Sequence, residues 1–215
     1  MADLETVVVT GYGAWAKTEA NPAAQILAGL RERPWDDCNL VALEVPVVSD
    51  ELYGRVEDAL LTHKPAAWMS IGVWPGSPLI RLETIGTNWR YFDVPDNSGA
   101  SLAGTPIVEG GPAAYNANFP NAEIVAALRA AGIPAMVSYT AGTHMCNQML
   151  YTSSHLMKLH GLQARCGFLH VPLTPEHVAR QPASEEPQAS MGLETMTEAA
   201  VIALKQAISA MKAAA

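Results

Sequence analysis

The residues of this 215-residue chain best suited to covalent chemistry lie far apart along it: Cys146, His170 and Glu83. In Thr140-Ala141-Gly142-Thr143-His144-Met145-Cys146-Asn147, a strand pattern ending at Tyr139 runs into small residues with a glycine able to turn tightly. Cys146 then falls in the first turn of a helix. Unpaired N–H groups and the helix dipole at such a place stabilise a thiolate and lower the thiol pKa, and the same N–H groups suit an oxyanion. His170 sits near the end of the apolar run Cys166 to Val171, just before Pro172, where an imidazole can take the thiol proton. Glu83, in the short alternating run Leu79 to Thr84, can orient that imidazole. Two other readings stay open. Cys146 could be an inert buried thiol, the common fate of a free cysteine. His144, Cys146, Cys166 and His170 could also hold zinc, but His144 and Cys146 straddle a turn, and the close Cys-x-x-Cys spacing is absent. His63, His155, His160 and His177 fall in helical or loop contexts that read as solvated, and they receive no role.

A second group follows the first strand. Gly11-Tyr12-Gly13 invites a dinucleotide-loop reading, yet the third glycine is missing and Trp15 puts an indole in the loop. A nucleotide site is discounted. Tyr12 and Trp15 nevertheless stand at the C-terminal end of a strand, where open α/β sheets bind ligands; the alternative is that both pack beneath the loop.

The elements that must position these groups alternate. Strands are expected over Thr6 to Thr10, Leu40 to Val45, Ala67 to Gly72, Leu79 to Thr84, Ala135 to Tyr139 and Cys166 to Val171. Helices are expected from Asn21-Pro22 through Leu30, from a cap at Ser49 with Asp50 and Glu51, from Asn121 through Leu128, after Thr143, and from Leu193 to Met211. This alternation predicts a three-layer α/β/α sandwich around a twisted, mostly parallel mixed sheet, as one domain over 1–215. The segment from Pro75 to Phe119 is loop-rich, and a loop of that length in a compact domain is usually functional.

Composition narrows the function classes. Thirteen Lys+Arg against 21 Asp+Glu give a net charge of −8, only 16% of residues are charged, and no basic run exists, which points away from nucleic acid. Hydrophobic residues make up 49%, enough for a sizeable core. The three cysteines cannot all pair within one chain, and free thiols suit a reducing compartment. The first residues, Met1 to Thr6, carry acids where a signal peptide carries a basic flank, and no apolar run reaches the roughly 20 residues of a membrane span. The chain reads as soluble and cytoplasmic, with no cofactor or metal.

Over nearly its whole length the chain resembles the pyroglutamyl peptidase type I (pyrrolidone carboxyl peptidase) family. The resemblance is densest over Val94-Pro95-Asp96-Asn97, Thr105 to Glu109, Gly111 to Tyr115, Gly132 to Ala135, Ser138 to Thr143 with Cys146-Asn147, and Gly167 to Pro172. It implies a cysteine peptidase that releases pyroglutamate from the N-terminus of peptides through a thioacyl-enzyme, with Cys146 as nucleophile, His170 as base and Glu83 as acid. It places Tyr12 and Trp15 about the pyrrolidone ring with Asn21 beside them, and Pro46, Val47, Val73, Val94 and Met145 around the same pocket. It further implies a homo-oligomer, with a tetramer favoured. Ser77, Thr84 and Asp93 stand where the family carries arginines, so positive charge is expected to be missing beside the catalytic group. A non-catalytic binder of pyrrolidone-type ligands on the same scaffold is the competing reading. Part of the loop-rich segment is expected to order over bound substrate.

Overall fold

The computed structural model describes residues 4–15, 20–182, 184, 186 and 188–213. The acidic start read against a targeting signal falls partly, at Met1 to Asp3, outside the described residues. In chain order the elements are β1 (Thr6–Tyr12), α1 (Pro22–Arg31), β2 (Asn39–Val45), α2 (Ser49–His63), β3 (Ala67–Val73), β4 (Ile80–Glu83), β5 (Ile85–Thr87), β6 (Arg90–Tyr91), β7 (Ala103–Thr105), β8 (Ala114–Asn116), α3 (Asn121–Ala130), β9 (Ala135–Ser138), α4 (Met145–Leu159), β10 (Arg165–Val171), α5 (Pro175–Ala179) and α6 (Leu193–Lys212).

Alternation along the strands decides the layers. Val7 and Val9, Met69 and Ile71, and Leu169 and Val171 face a core completed by α1, α3 and α6. Their neighbours Val8, Trp68 and Phe168 face a second core completed by α2 and α4. Apolar residues on both faces require helices on both faces, which gives the expected α/β/α layering. The sheet order is β2-β1-β3-β10-β4-β9. The first four strands run parallel, β4 is antiparallel to β10, and β9 is parallel to β4, so both β4 and β9 run against the rest.

Three expectations change. First, β1 continues through Tyr12, so Gly11 is a strand residue; a Cβ there would lie 2.9 Å from the Ala23 carbonyl oxygen, and the glycine serves close packing of α1 on β1. Second, Ser49 does not cap α2. It is the first helical residue, Val48 at the cap position makes no side-chain bond, and the Ser49 N–H instead donates to the Asp96 carboxylate at 2.7 Å. Third, the stretch from Pro75 to Phe119 holds, besides β4, two small antiparallel ladders, β5 with β8 and β6 with β7. Asn88 binds the loop between them, donating to the Val108 and Gly111 carbonyls and accepting from the Ile107 and Val108 N–H groups. The short helix α5 was not expected.

Candidate active site

The chain leaves β1 for β2 on one side and reaches β3 on the other, so the crevice at the C-terminal strand ends opens where the order reverses. A cavity of about 450 Å³ lies there, within the usual range for small-ligand sites. Tyr12, Trp15, Asn21, Val47, Val73, Val94, Met145, Cys146 and His170 all line it. Glu83 lies behind His170, fully buried.

Register builds the proton-transfer side. His170 pairs with Gly72 across β3 and with Arg81 across β4, and residues opposite one another in an antiparallel pair share a face. Glu83, two residues after Arg81, returns to that face. The Nδ1 of His170 meets Glu83 Oε1 at 2.8 Å, and both side chains are at most 1% exposed. An ionised carboxylate only accepts, so Nδ1 carries the proton and Nε2 is left with a lone pair. Arg81 Nε donates to the same Oε1 at 3.0 Å. Burial pushes the Glu83 carboxyl up, but the bond from His170 and, when the imidazole is protonated, its charge, with the bonds of Ser138 and Arg81, outweigh it and hold the group below its usual value. Burial holds His170 below the ordinary imidazole value, against the bond and charge of Glu83 and with the Arg81 charge acting in the same direction as burial. The resting pair is a carboxylate and a neutral imidazole.

The candidate nucleophile arrives from a turn. Because β9 runs against β10, the chain leaves Ser138 heading away from the rim, and it turns back through Gly142 at φ 76°, a conformation that favours glycine. His144 stands at the cap position of α4 without a side-chain capping bond, and Cys146 lies in the first turn, as expected from sequence. Gly72 makes room for the sulfur: a Cβ there would lie 2.6 Å from Cys146 Sγ. The expected drop in thiol pKa is not found. Burial, and after it the Glu83 charge, push Cys146 up to about 12, which favours the protonated thiol at rest.

The opposite wall is a slot of rings fixed to main-chain carbonyls. Tyr12 Oη donates to Met145 O at 2.6 Å, and Trp15 Nε1 to Pro95 O at 3.2 Å. The Asn21 amide donates to Gly13 O at 3.0 Å while its Oδ1 caps α1 through Ala23 N, so this side chain holds the loop and the helix rather than facing substrate with free groups. His144 Nε2 meets Val94 O at 2.9 Å, and its ring packs on Phe92 at 4.1 Å and on Trp15 at 5.4 Å. His144 therefore belongs to this wall; the four zinc-ligand candidates are not brought together, and among the described residues no group of three metal-ligating side chains forms.

Several working residues had no role assigned from sequence. Asn97 donates to Ala14 O from its side chain and to Val47 O from its N–H, each at 2.8 Å, tying the slot shut from above. Asn147 ties the start of α4 to β5 and β6 through Thr87 and Trp89. Trp74 meets His170 edge-on at 5.0 Å, and Arg81 lies over its ring at 4.2 Å. Of the positions where the family has arginine, Ser77 bonds Leu79 O, Thr84 accepts from Asn121, and Asp93 is exposed at the cavity. Those three positions carry no positive charge, as expected, but Arg81 places a cation beside Glu83 that was not expected from sequence. Alternation alone could have found it, since Arg81 and Glu83 are two apart on one strand. Of the remaining histidines, His155 is not solvated: it is half-buried, stacked on Tyr151, and bonded to Tyr115 Oη at 3.0 Å. Cys38 and Cys166 are buried free thiols.

Comparison with known proteins agrees with this geometry. The family model for pyroglutamyl peptidase matches residues 5–211. The chain is 34% identical over 199 residues to a pyrrolidone-carboxylate peptidase of Thermococcus kodakarensis, covering 93% of this chain and 94% of that one. It is 35% identical over 212 residues to pyrrolidone-carboxylate peptidase 2 of Photorhabdus laumondii, covering 97% and 94%. Its fold superposes on the crystal structure of pyrrolidone carboxyl peptidase from Pyrococcus furiosus with a TM-score of 0.91 at 31% identity, covering 95% of this chain and 98% of that one. With the match spanning the strands, the cavity and all three catalytic candidates, the chain belongs to the pyroglutamyl peptidase family of cysteine-dependent hydrolases.

Proposed function

We propose that Cys146, His170 and Glu83 hydrolyse the amide bond after an N-terminal pyroglutamyl residue, releasing pyroglutamate from peptides. The observation that carries the assignment is the buried Glu83–His170 pair at 2.8 Å, whose imidazole opens into the same cavity as Cys146 and the aromatic slot. A pyroglutamyl group is an uncharged ring with one lactam N–H and one ring C=O. Tyr12 and Trp15 offer apolar faces to it, and their polar atoms are already engaged, so the lactam finds its partners in main-chain groups of the slot. A ring lacking those groups, such as proline, leaves the site's partners unpaired and is rejected.

In the mechanism, Cys146 Sγ attacks the pyroglutamyl carbonyl carbon while its proton passes to His170 Nε2. A thiol at rest, raised to about 12, requires this general-base coupling rather than a standing thiolate. The N–H groups opening α4 face the developing oxyanion. His170 then donates the proton to the leaving amine as the C–N bond breaks, forming the thioester; it takes a proton from water as water attacks the thioester carbonyl, and returns it to Cys146 Sγ as the C–S bond breaks and pyroglutamate leaves. Glu83 holds the imidazole in the Nδ1–H form and offsets its transient charge. The competing binder reading is disfavoured by the full-length match to pyroglutamyl peptidases, and Arg81 offsets part of the charge lost at Ser77, Thr84 and Asp93.

Cleavage of a pyroglutamyl amide of a chromogenic amine tests the assignment. Wild type is expected to turn over, iodoacetamide to stop it, and Cys146→Ala to be folded and inactive; turnover by the alanine variant would sink it. The need to keep Cys146 reduced supports a cytoplasmic location. A homo-oligomer, a tetramer by family likeness, is supported by exposed apolar side chains such as Tyr139 at 69% and Leu159 at 60%; sedimentation that yields a monomer at assay concentration would reject it.

A further inference from the structure

The geometry points to Arg81 as a positioning residue for the proton relay: its guanidinium fixes Glu83 as a charged, single-oxygen acceptor for His170, and it is itself held by Trp74 and Ser138. The inference rests on the triad reading above. Glu83 Oε1 accepts both from His170 Nδ1 at 2.8 Å and from Arg81 Nε at 3.0 Å, while Oε2 is buried with no partner among the described residues. The His170 and Arg81 bonds that orient this carboxylate therefore both pass through one oxygen, with the Ser138 hydroxyl beside it. A buried carboxylate needs compensating charge, and a neutral imidazole provides none, so in the resting enzyme that charge is the guanidinium. Arg81 cannot swing away, because Nη2 donates to Ser138 Oγ at 2.7 Å and the Trp74 ring lies 4.2 Å from its central carbon. The same indole meets the His170 ring edge-on at 5.0 Å, so Arg81 holds the acid while its stacking partner walls the base.

Removing this cation has a sign that survives the coupling within the pair. The titratable groups facing His170 are Glu83 and Arg81 from β4 and Cys146 from α4, with Tyr12 of β1, His144 at the α4 cap and Asp93 around the cavity. Whether an added proton lands on His170 or on Glu83, a fixed positive charge opposes it, and loss of that charge makes protonation easier. Since His170 must be neutral to take the thiol proton, the acid limb of kcat/KM moves to higher pH when Arg81 is neutralised.

Arg81→Met and Arg81→Lys should be compared with wild type on a pyroglutamyl chromogenic amide across pH, with the His170 ring followed by NMR and thermal melting as a check on folding. In Arg81→Met, kcat is expected to fall about tenfold to a hundredfold with KM near wild type, short of the roughly 10⁴-fold loss on neutralising a triad acid itself. Its acid limb and the His170 titration should both move up in pH, and Arg81→Lys should restore their position and part of kcat. A residue that only braced β4 would leave both titrations in place. If Arg81→Met does not fold, Arg81→Gln, which keeps a donor, must show the same displacement. Coincident limbs and titrations, or a KM effect with unchanged kcat, would overturn the inference. An inactive wild type would instead defeat the triad assignment, and the NMR titration would still decide for or against Arg81.

Discussion

The two walls of the cavity are built from different bonds. On the β10 and β4 side, His170, Glu83 and Arg81 are joined side chain to side chain, at 2.8 and 3.0 Å, with Ser138 behind them. On the β1 side, Tyr12, Trp15, Asn21, Asn97 and His144 each reach a main-chain carbonyl. Moving a proton requires charges held in fixed places where water is excluded, so one wall depends on ionisation and its neighbours. Holding an uncharged ring requires only shape and a rigid frame, which carbonyl contacts provide at any pH. Changes in the first wall should therefore register in kcat and its pH dependence, and changes in the second in KM.

The largest effect should come from Glu83→Gln. It keeps the volume but loses the carboxylate that fixes the Nδ1–H form of His170, and kcat should fall by about 10⁴-fold with little change in KM. A loss confined to KM would erase the contrast between the walls. Gly72→Ala should follow, because its Cβ would meet Cys146 Sγ at 2.6 Å and Phe168 Cζ at 2.9 Å. Phe168 is packed in the core, so the sulfur is the atom that moves, and a displacement of about 1 Å costs on the order of a hundredfold in kcat. Unaltered single-turnover acylation in a folded Gly72→Ala protein would show that the sulfur has another place to sit.

Trp15→Ala should be milder and should act on the other parameter. An indole face buries roughly 1.5–3 kcal/mol of ligand contact, so KM should rise about tenfold or more with kcat within severalfold of wild type and the acid limb unmoved. A shifted acid limb in this variant would mean that the walls are electrically coupled.

Much of this arrangement was legible because the residues are scarce and sit at element ends. Cys146 after a glycine turn, His170 before Pro172, and alternation on every strand specified the layers and the rim. Strand direction was not legible, since period-two alternation reads alike both ways, and so the reversal of β4 and β9 came only with the pairing. The thiol pKa was read with the wrong sign for a related reason: the helix N-terminus is local and visible, whereas burial and the Glu83 charge come from strands distant in sequence. Arg81 stands two residues from Glu83 on one strand, so alternation places both on one face, but the bond between them forms only once β4 is buried beside β10. The cap of α2 is the clearest case. Local grammar favours Ser49, yet the acceptor is Asp96, 47 residues away.

That cap supplies the smallest and most separable prediction. Asp96 accepts from Ser49 N at 2.7 Å, Ser98 Oγ at 2.6 Å, Ser98 N at 2.8 Å and Ala100 N at 3.0 Å, and so ties the slot's roof to the start of α2. Burial raises its carboxyl pKa, but these bonds outweigh burial and hold it below the usual value. A group depressed in the folded state stabilises fully above its unfolded pKa, near 3.9, and loses that contribution as pH falls through the folded value. Asp96→Asn should thus cost about 1–3 kcal/mol at neutral pH, read as a lower melting temperature. The gap from wild type should narrow as pH is taken below about 4, while Glu83, also depressed, destabilises both proteins alike and cancels in the difference. Because Asn97 binds Val47 and Ala14 independently, turnover at low temperature should change only slightly and through KM. A gap independent of pH would mean that Asp96 acts through shape rather than charge, and a fall in kcat would mean that the roof reaches the proton relay after all.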